Sequence, residues 1–392
     1  MASFDISQAR ARFPALKQDQ VYLGNAGATY KTSKASIAAY ANAYEGAAKF
    51  INASLSEVCS LRSGANQICL GVSTTQLLHN LPTALQSQPG DELVLSKLNH
   101  EADTAPWARI AERLGLKVKW WSATDPQNPV CDLDELQELL SEKTRLVACP
   151  HVSNVTGTIT RVKEIATLVH RYPRALLCVD GVALAPHREV DVKDIGVDFY
   201  VFSWYKVYGP HIAQLYASSR IHDQISSLGH FFKGAETLDS KLNLASASYE
   251  ATQSTPAVVE YLGANPTTTW DKIVSHEGGL QRIRLDFLNS EGRITVYGER
   301  SASTELRVPV VSFTVPGTRS QRVVVEVESR SSFGFRSGPM YSYRLVDEII
   351  GLKDVEDGVV RISMLHYNTE EEIRGLVGVL KEVINSLPGE SQ

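Results

Sequence analysis

Lys206 stands in Ser203-Trp204-Tyr205-Lys206-Val207-Tyr208-Gly209-Pro210-His211, directly after the apolar run 198–202. Asp180 closes a second apolar run, Leu176-Leu177-Cys178-Val179-Asp180, a little upstream. An amine and a carboxylate in this setting suit one cofactor, pyridoxal 5′-phosphate (PLP). Its aldehyde takes a lysine as a Schiff base, and a carboxylate keeps its pyridine nitrogen protonated, so that the ring accepts electrons from a substrate carbanion. A strand that ends in Asp and another that feeds into Lys put both groups at one edge of a parallel sheet. Open α/β sheets bind their ligands at that carboxyl edge. Taken singly, a lysine beside Gly-Pro is a turn residue and an Asp after a strand is a helix cap. Their order and surroundings make the signal.

The elements that must position this pair are legible. Runs at 92–96, 118–121, 145–149, 176–180, 199–203 and 214–217 have strand length and apolar content. Between two of them Val162, Ile165, Leu168 and Val169 recur at helical spacing. Such alternation predicts a mostly parallel sheet with helices on its faces. After about Pro256 the pattern changes. Runs at 294–297, 307–314 and 322–327 predict a smaller α+β domain. A last helix opens with a capping box, Thr369 and Glu372, and carries Ile373, Leu376, Val377, Leu380, Val383, Ile384 and Leu387 on one face.

At 392 residues the chain is long enough for two domains, and its formal net charge of −5 argues against nucleic acid or an acidic membrane as partner. Met1-Ala2-Ser3-Phe4-Asp5 opens no secretory signal, and no run approaches a membrane span, so a soluble cytoplasmic protein is expected. The five cysteines, Cys59, Cys69, Cys131, Cys149 and Cys178, show no CxxC spacing. Neither a disulfide framework nor a metal site is expected from them.

The stretch Cys178-Val179-Asp180-Gly181, then Val190-Asp191-Val192, Gly196-Val197-Asp198-Phe199-Tyr200 and Ser203…Lys206…Tyr208-Gly209-Pro210-His211, resembles the class V aminotransferase superfamily in its cysteine-desulfurase-like branch. The resemblance runs from about Phe13-Pro14-Ala15-Leu16 to His366-Tyr367-Asn368-Thr369. It implies the α/β PLP fold type I, with a large PLP-binding domain over 21–260, a small C-terminal domain over 261–392, and an N-terminal segment 1–20 packing near the small domain. It makes Lys206 the Schiff-base lysine and catalytic base, and Asp180 the partner of the pyridine nitrogen. Gly71-Val72-Ser73-Thr74-Thr75 matches the phosphate-binding turn, which brings in Thr74 and Thr75, with Ser203 and Tyr205 as further phosphate positions. Small hydroxyl residues before a helix suit a phosphate on their own chemistry, although an N-cap would use the same residues. His100 matches the residue that stacks on the ring, Asn154 a residue beside the ring hydroxyl, and Thr255 one that reaches the phosphate of a neighbouring subunit. A homodimer with shared sites is therefore expected.

On the substrate side Arg361 matches the residue that grips an α-carboxylate, and its planar guanidinium suits that task. Arg336 opens the segment 336–341, expected as a mobile loop facing substrate, and Asn25, Ala26 and Gly27 match a backbone contact near substrate. Three departures stand out. Asp103 replaces the usual asparagine, Ala183 replaces a polar residue that touches the ring oxygen, and Tyr341 stands where a desulfurase carries its cysteine. No cysteine follows Cys178. A phenol cannot carry a persulfide, so the expected chemistry is not sulfur transfer. The chain also resembles PLP enzymes of fungal specialised metabolism such as those of the loline-alkaloid pathway. This implies an α-carbanion that forms a new C–C bond in a Mannich-type cyclisation. The alternatives are a C–S or other β-lyase, an epimerase, or a PLP-binding protein without catalysis.

Overall fold

Seven apolar runs fold into one sheet because helices cover both of its faces. The computed structural model describes residues 33–54, 67–231, 236–243, 247–263 and 265–387. The expected segment 1–20, and with it Asn25, Ala26 and Gly27, lies outside the described residues. The strands are β1 Ile68–Gly71, β2 Glu92–Ser96, β3 Lys117–Trp121, β4 Thr144–Pro150, β5 Leu176–Asp180, β6 Phe199–Ser203 and β7 Ala213–Ala217. Their order is β1-β7-β6-β5-β4-β2-β3, and only the pairings made by β7 are antiparallel. Neighbours along a strand point to opposite faces. Val94, Val147, Val179 and Phe202 join one buried cluster, while Leu93, Leu146, Cys178 and Val201 join the other. That is why these strands read as continuous apolar runs rather than alternating ones.

The four remaining strands are β8 Thr295–Tyr297, β9 Val310–Thr314, β10 Arg336–Gly338 and β11 Val359–Ser363. They form an antiparallel sheet in the order β10-β11-β9-β8. Helices Pro266–Ser290, Ser320–Arg330 and Glu370–Ser386 contribute Leu280, Leu288, Val323, Val327, Leu380 and Ile384 to its core. The apolar run 322–327 is thus helical: Val323, Val324 and Val327 are buried at helical spacing. The last helix carries the expected capping box, with Thr369 accepting from the Glu372 amide and Glu372 accepting from the Thr369 amide.

Candidate active site

The carboxyl ends of β1, β2, β4, β5 and β6 open onto one cleft. Thr74, Thr75, His100, Asn154, Asp180, Ser203, Tyr205 and Lys206 line it, together with Ala102, Pro150, Val152, Val182 and Ala183. About 500 Å³ of space lies between these residues, continuous with open solvent.

At one end β1 turns through Ser73 into the helix Thr74–Ala84. The Ser73 hydroxyl accepts from the Gln76 amide and so takes the N-cap role itself. The hydroxyls of Thr74 and Thr75 are thereby left for other work. Thr74 Oγ1 lies 2.6 Å from Ser203 Oγ, which ends β6. Two hydroxyls at a helix amino terminus, with its partial positive charge, are suited to an anion. Beside them the Tyr205 ring stacks on His211, centroids 4.4 Å apart and planes 6° apart.

Asp180 ends β5 and is only 9% exposed. One of its oxygens accepts from the Val182 amide at 2.8 Å. Burial raises its carboxyl above the usual range, while that amide and the charge of Lys206 pull the other way. Gly181 follows, and a Cβ there would strike the Tyr200 ring. The Tyr200 hydroxyl meets His151 Nδ1 at 2.9 Å, and the His151 amide donates to the Asp180 carbonyl at 2.8 Å. The strand end that carries Asp180 is therefore fixed from both sides. Lys206 sits in the single turn Trp204–Lys206 after β6. The cleft leaves it accessible to solvent, yet protein surrounds it on the other sides. That desolvation lowers its ammonium below the ordinary value; Asp180 opposes the shift and Arg361 adds to it. A lysine so placed is neutral, and nucleophilic, more often than a solvated one.

His100 caps the helix Glu101–Leu114, its Nδ1 accepting from the Ala102 amide at 3.0 Å. Burial, then the charges of Lys206 and Arg361, bring the imidazole down to about 4, so it is neutral with its proton on Nε2. A neutral flat ring can lie against a protonated pyridine without charge repulsion. Asn154 stands in the turn after β4. Its amide nitrogen donates to the Met340 carbonyl, its amide oxygen accepts from Ser342 Oγ, both at 2.8 Å, and its carbonyl accepts from Arg361 Nη1 at 3.0 Å.

The segment 336–341 does not begin as a loop: Arg336–Gly338 is β10, with Arg336 opposite Arg361 in the register of β11. The turn that follows lays the Tyr341 ring over His100, with centroids 5.3 Å apart. Asp103, one turn into the His100 helix, is fully buried and accepts from Asn99 Nδ2 at 2.7 Å. Burial and then the charge of Asp180 raise its carboxyl well above the usual range, against a smaller pull from the Trp107 indole. Thr255 is not brought to the cleft; it is buried, with its hydroxyl donating to the Thr252 carbonyl.

Sequence reading passed over Ser342 and Met340, whose contacts with Asn154 join the two halves of the site. It also missed β1, β10 and β11, which are short runs of three to five residues.

The profile described as aminotransferase class-V matches residues 15–376. The chain is 47% identical to the aminotransferase-like protein FGM3 of Gibberella zeae, over 98% of this chain and 99% of that one. It is 38% identical to the cysteine desulfurase-like protein ustD of Aspergillus flavus, over 97% and 91%. Its fold is similar to that of the cysteine desulfurase CsdA of Escherichia coli, with a TM-score of 0.76 at 24% identity over 99% of this chain and 100% of that one.

Proposed function

This chain belongs to the class-V aminotransferase family and has the α/β fold of its PLP-dependent enzymes, and on that premise we propose that it acts at the α-carbon of an amino-acid substrate and joins the carbanion to a carbon electrophile, in a Mannich-type closure. PLP is the family's cofactor, and when bound it supplies an electron sink for charge that develops at the α-carbon.

The side chains present fit that group. Thr74, Thr75, Ser203 and Tyr205, at the amino end of a helix, would hold its phosphate. Asp180 offers a carboxylate at the far side of the cleft, and His100 a neutral ring to lie on its face. Lys206, with its lowered ammonium, would hold the aldehyde and then take the α-proton. Arg361, fixed by the Asn154 carbonyl, would orient the substrate carboxylate. Arg336, opposite it in the register, lies on the same side. Thr255 would act only across a subunit boundary, and a homodimer with shared sites is part of this reading.

The observation that carries the choice of reaction is at the turn 339–342. It sets a phenol, Tyr341, against His100, and no cysteine follows Cys178. The described cysteines are buried, and burial raises the Cys131 thiol to about 11 and those of Cys69, Cys149 and Cys178 well above their usual value. None of these described thiols is on hand as a thiolate to accept sulfur.

The test gives the PLP-loaded protein a panel of amino acids in deuterated water, with and without aldehydes and imines. The expected result is α-deuteration, a coupled product that requires Lys206 and Arg361, and no sulfide from cysteine above background. Rapid sulfide release would overturn the reading. Exchange without a coupled product across a broad electrophile panel would replace it with an epimerase or lyase. No exchange and no spectral change with any amino acid would leave a PLP-binding protein.

A further inference from the structure

The Tyr341 ring lies over the His100 ring with planes 27° apart, yet Tyr341 is 70% exposed. Burial of its own surface therefore does not hold it there. The backbone does. Met340 and Tyr341 both lie in the left-handed region, at φ 53° and 59°. This conformation is unfavourable for any residue with a Cβ, and it persists only where the surroundings over-determine it.

The surroundings do so from both sides of the site. The Tyr341 carbonyl accepts from the Glu101 amide, the residue after His100, at 2.8 Å. The Met340 carbonyl and the Ser342 hydroxyl are both taken by the Asn154 side chain. Farther on, Arg344 pairs with Glu101 at 3.3 Å, and Lys97 pairs with Glu348 at 2.8 Å. The turn is thus fastened to the very residues that flank His100, with the phenol ring as its contact to the imidazole.

We propose that Tyr341 is a positioning residue for His100: the pinned turn uses the aromatic ring, at the place of a nucleophilic cysteine, to hold the imidazole flat and dry at the face of the site. The proposal rests on the PLP reading only for what His100 would face. An edge or stacked aromatic contact contributes about 0.5–1.5 kcal/mol, or roughly a threefold to tenfold change in an equilibrium. Ring area, not the hydroxyl, is what the brace needs.

The experiment follows His100 by NMR in the histidine-labelled full chain, with and without PLP, assigned by His100→Gln, in the wild type, Tyr341→Phe and Tyr341→Ala. Tyr341 is 70% exposed, so neither substitution removes core packing, and thermal unfolding checks that the fold is kept. The wild type and Tyr341→Phe are expected to titrate alike, near 4, while Tyr341→Ala moves the midpoint upward as the ring that shields the imidazole is lost. In the loaded protein, Tyr341→Ala should also release PLP about threefold to tenfold faster and weaken the dichroism of the bound cofactor. A His100 titration unchanged in Tyr341→Ala overturns the proposal. So does a Tyr341→Phe variant as altered as Tyr341→Ala, since the hydroxyl would then be the active part. Should PLP not bind the wild type, the functional reading falls while the His100 titration still decides this one.

Discussion

Thr74 Oγ1 and Ser203 Oγ stand 2.6 Å apart although 129 residues separate them in the chain. Each follows a strand of the large sheet: Thr74 opens the helix after β1, and Ser203 ends β6. Strands β1 and β6 are not neighbours; β7 runs between them in the opposite direction. Two parallel strands therefore deliver their hydroxyls across an intervening strand to the same edge. Lys206 follows Ser203 by one short turn, so the hydroxyl pair and the amine share one support.

The amine is the first thing to test. Borohydride treatment of the PLP-loaded protein, followed by peptide mapping, is expected to place the label on Lys206. Lys206→Ala should lose α-proton exchange by at least about 10²–10⁴-fold, the usual contribution of a positioned acid–base group. A label on any other lysine would show that the turn after β6 is not the attachment point.

Asp180 is the second. It is held by the Val182 amide and by the strand end that Gly181, Tyr200 and His151 fix. Asp180→Asn keeps the shape and removes the charge. Exchange should fall by about 10²–10³-fold, as when one preorganised polar group is removed from a site, while thermal unfolding changes little. Unaltered exchange in this variant would mean that the carboxylate does not serve the ring nitrogen.

Asp103 yields a pH-dependent stability. Its carboxyl in the folded chain is raised, by burial and by Asp180, above its unfolded value of about 3.9. The folded state therefore binds the proton more tightly. Stability from this group is full below the unfolded value and is lost as pH rises toward the folded one. The groups that bear on it are Asp180, Trp107 and Asn99. Asp103→Asn cannot ionise. Its unfolding midpoint should approach that of the wild type near pH 4 and exceed it increasingly at higher pH, as calorimetry without cofactor would record. A constant difference at all pH values would show that Asp103 is ionised in the folded chain throughout.

The large sheet was readable from the sequence because both of its faces are buried. A strand covered on two sides must be apolar throughout, and the six runs singled out each coincide with a strand of that sheet to within a residue or two at either end. The segment 322–327 was ambiguous for the same reason. A short apolar run has no period of its own, and packing against the second sheet makes it a helix.

What the sequence marked by itself was a pair of candidate groups. Lys206 and Asp180 are named by residue type and by the strands they follow, because strand ends in a parallel sheet share an edge. The protonation preferences came only with the tertiary structure, since burial, not residue type, lowers Lys206 and His100 and raises Asp103. The same holds for Tyr341. Its place in the chain marks it as the residue that stands where a thiol would. Its contact with His100 depends on two left-handed backbone positions held by Glu101 and Asn154, which lie 240 and 187 residues upstream of Tyr341 by its number and theirs. Such a conformation is unfavourable locally, so no local pattern encodes it, and only contacts from distant parts of the chain make it stable.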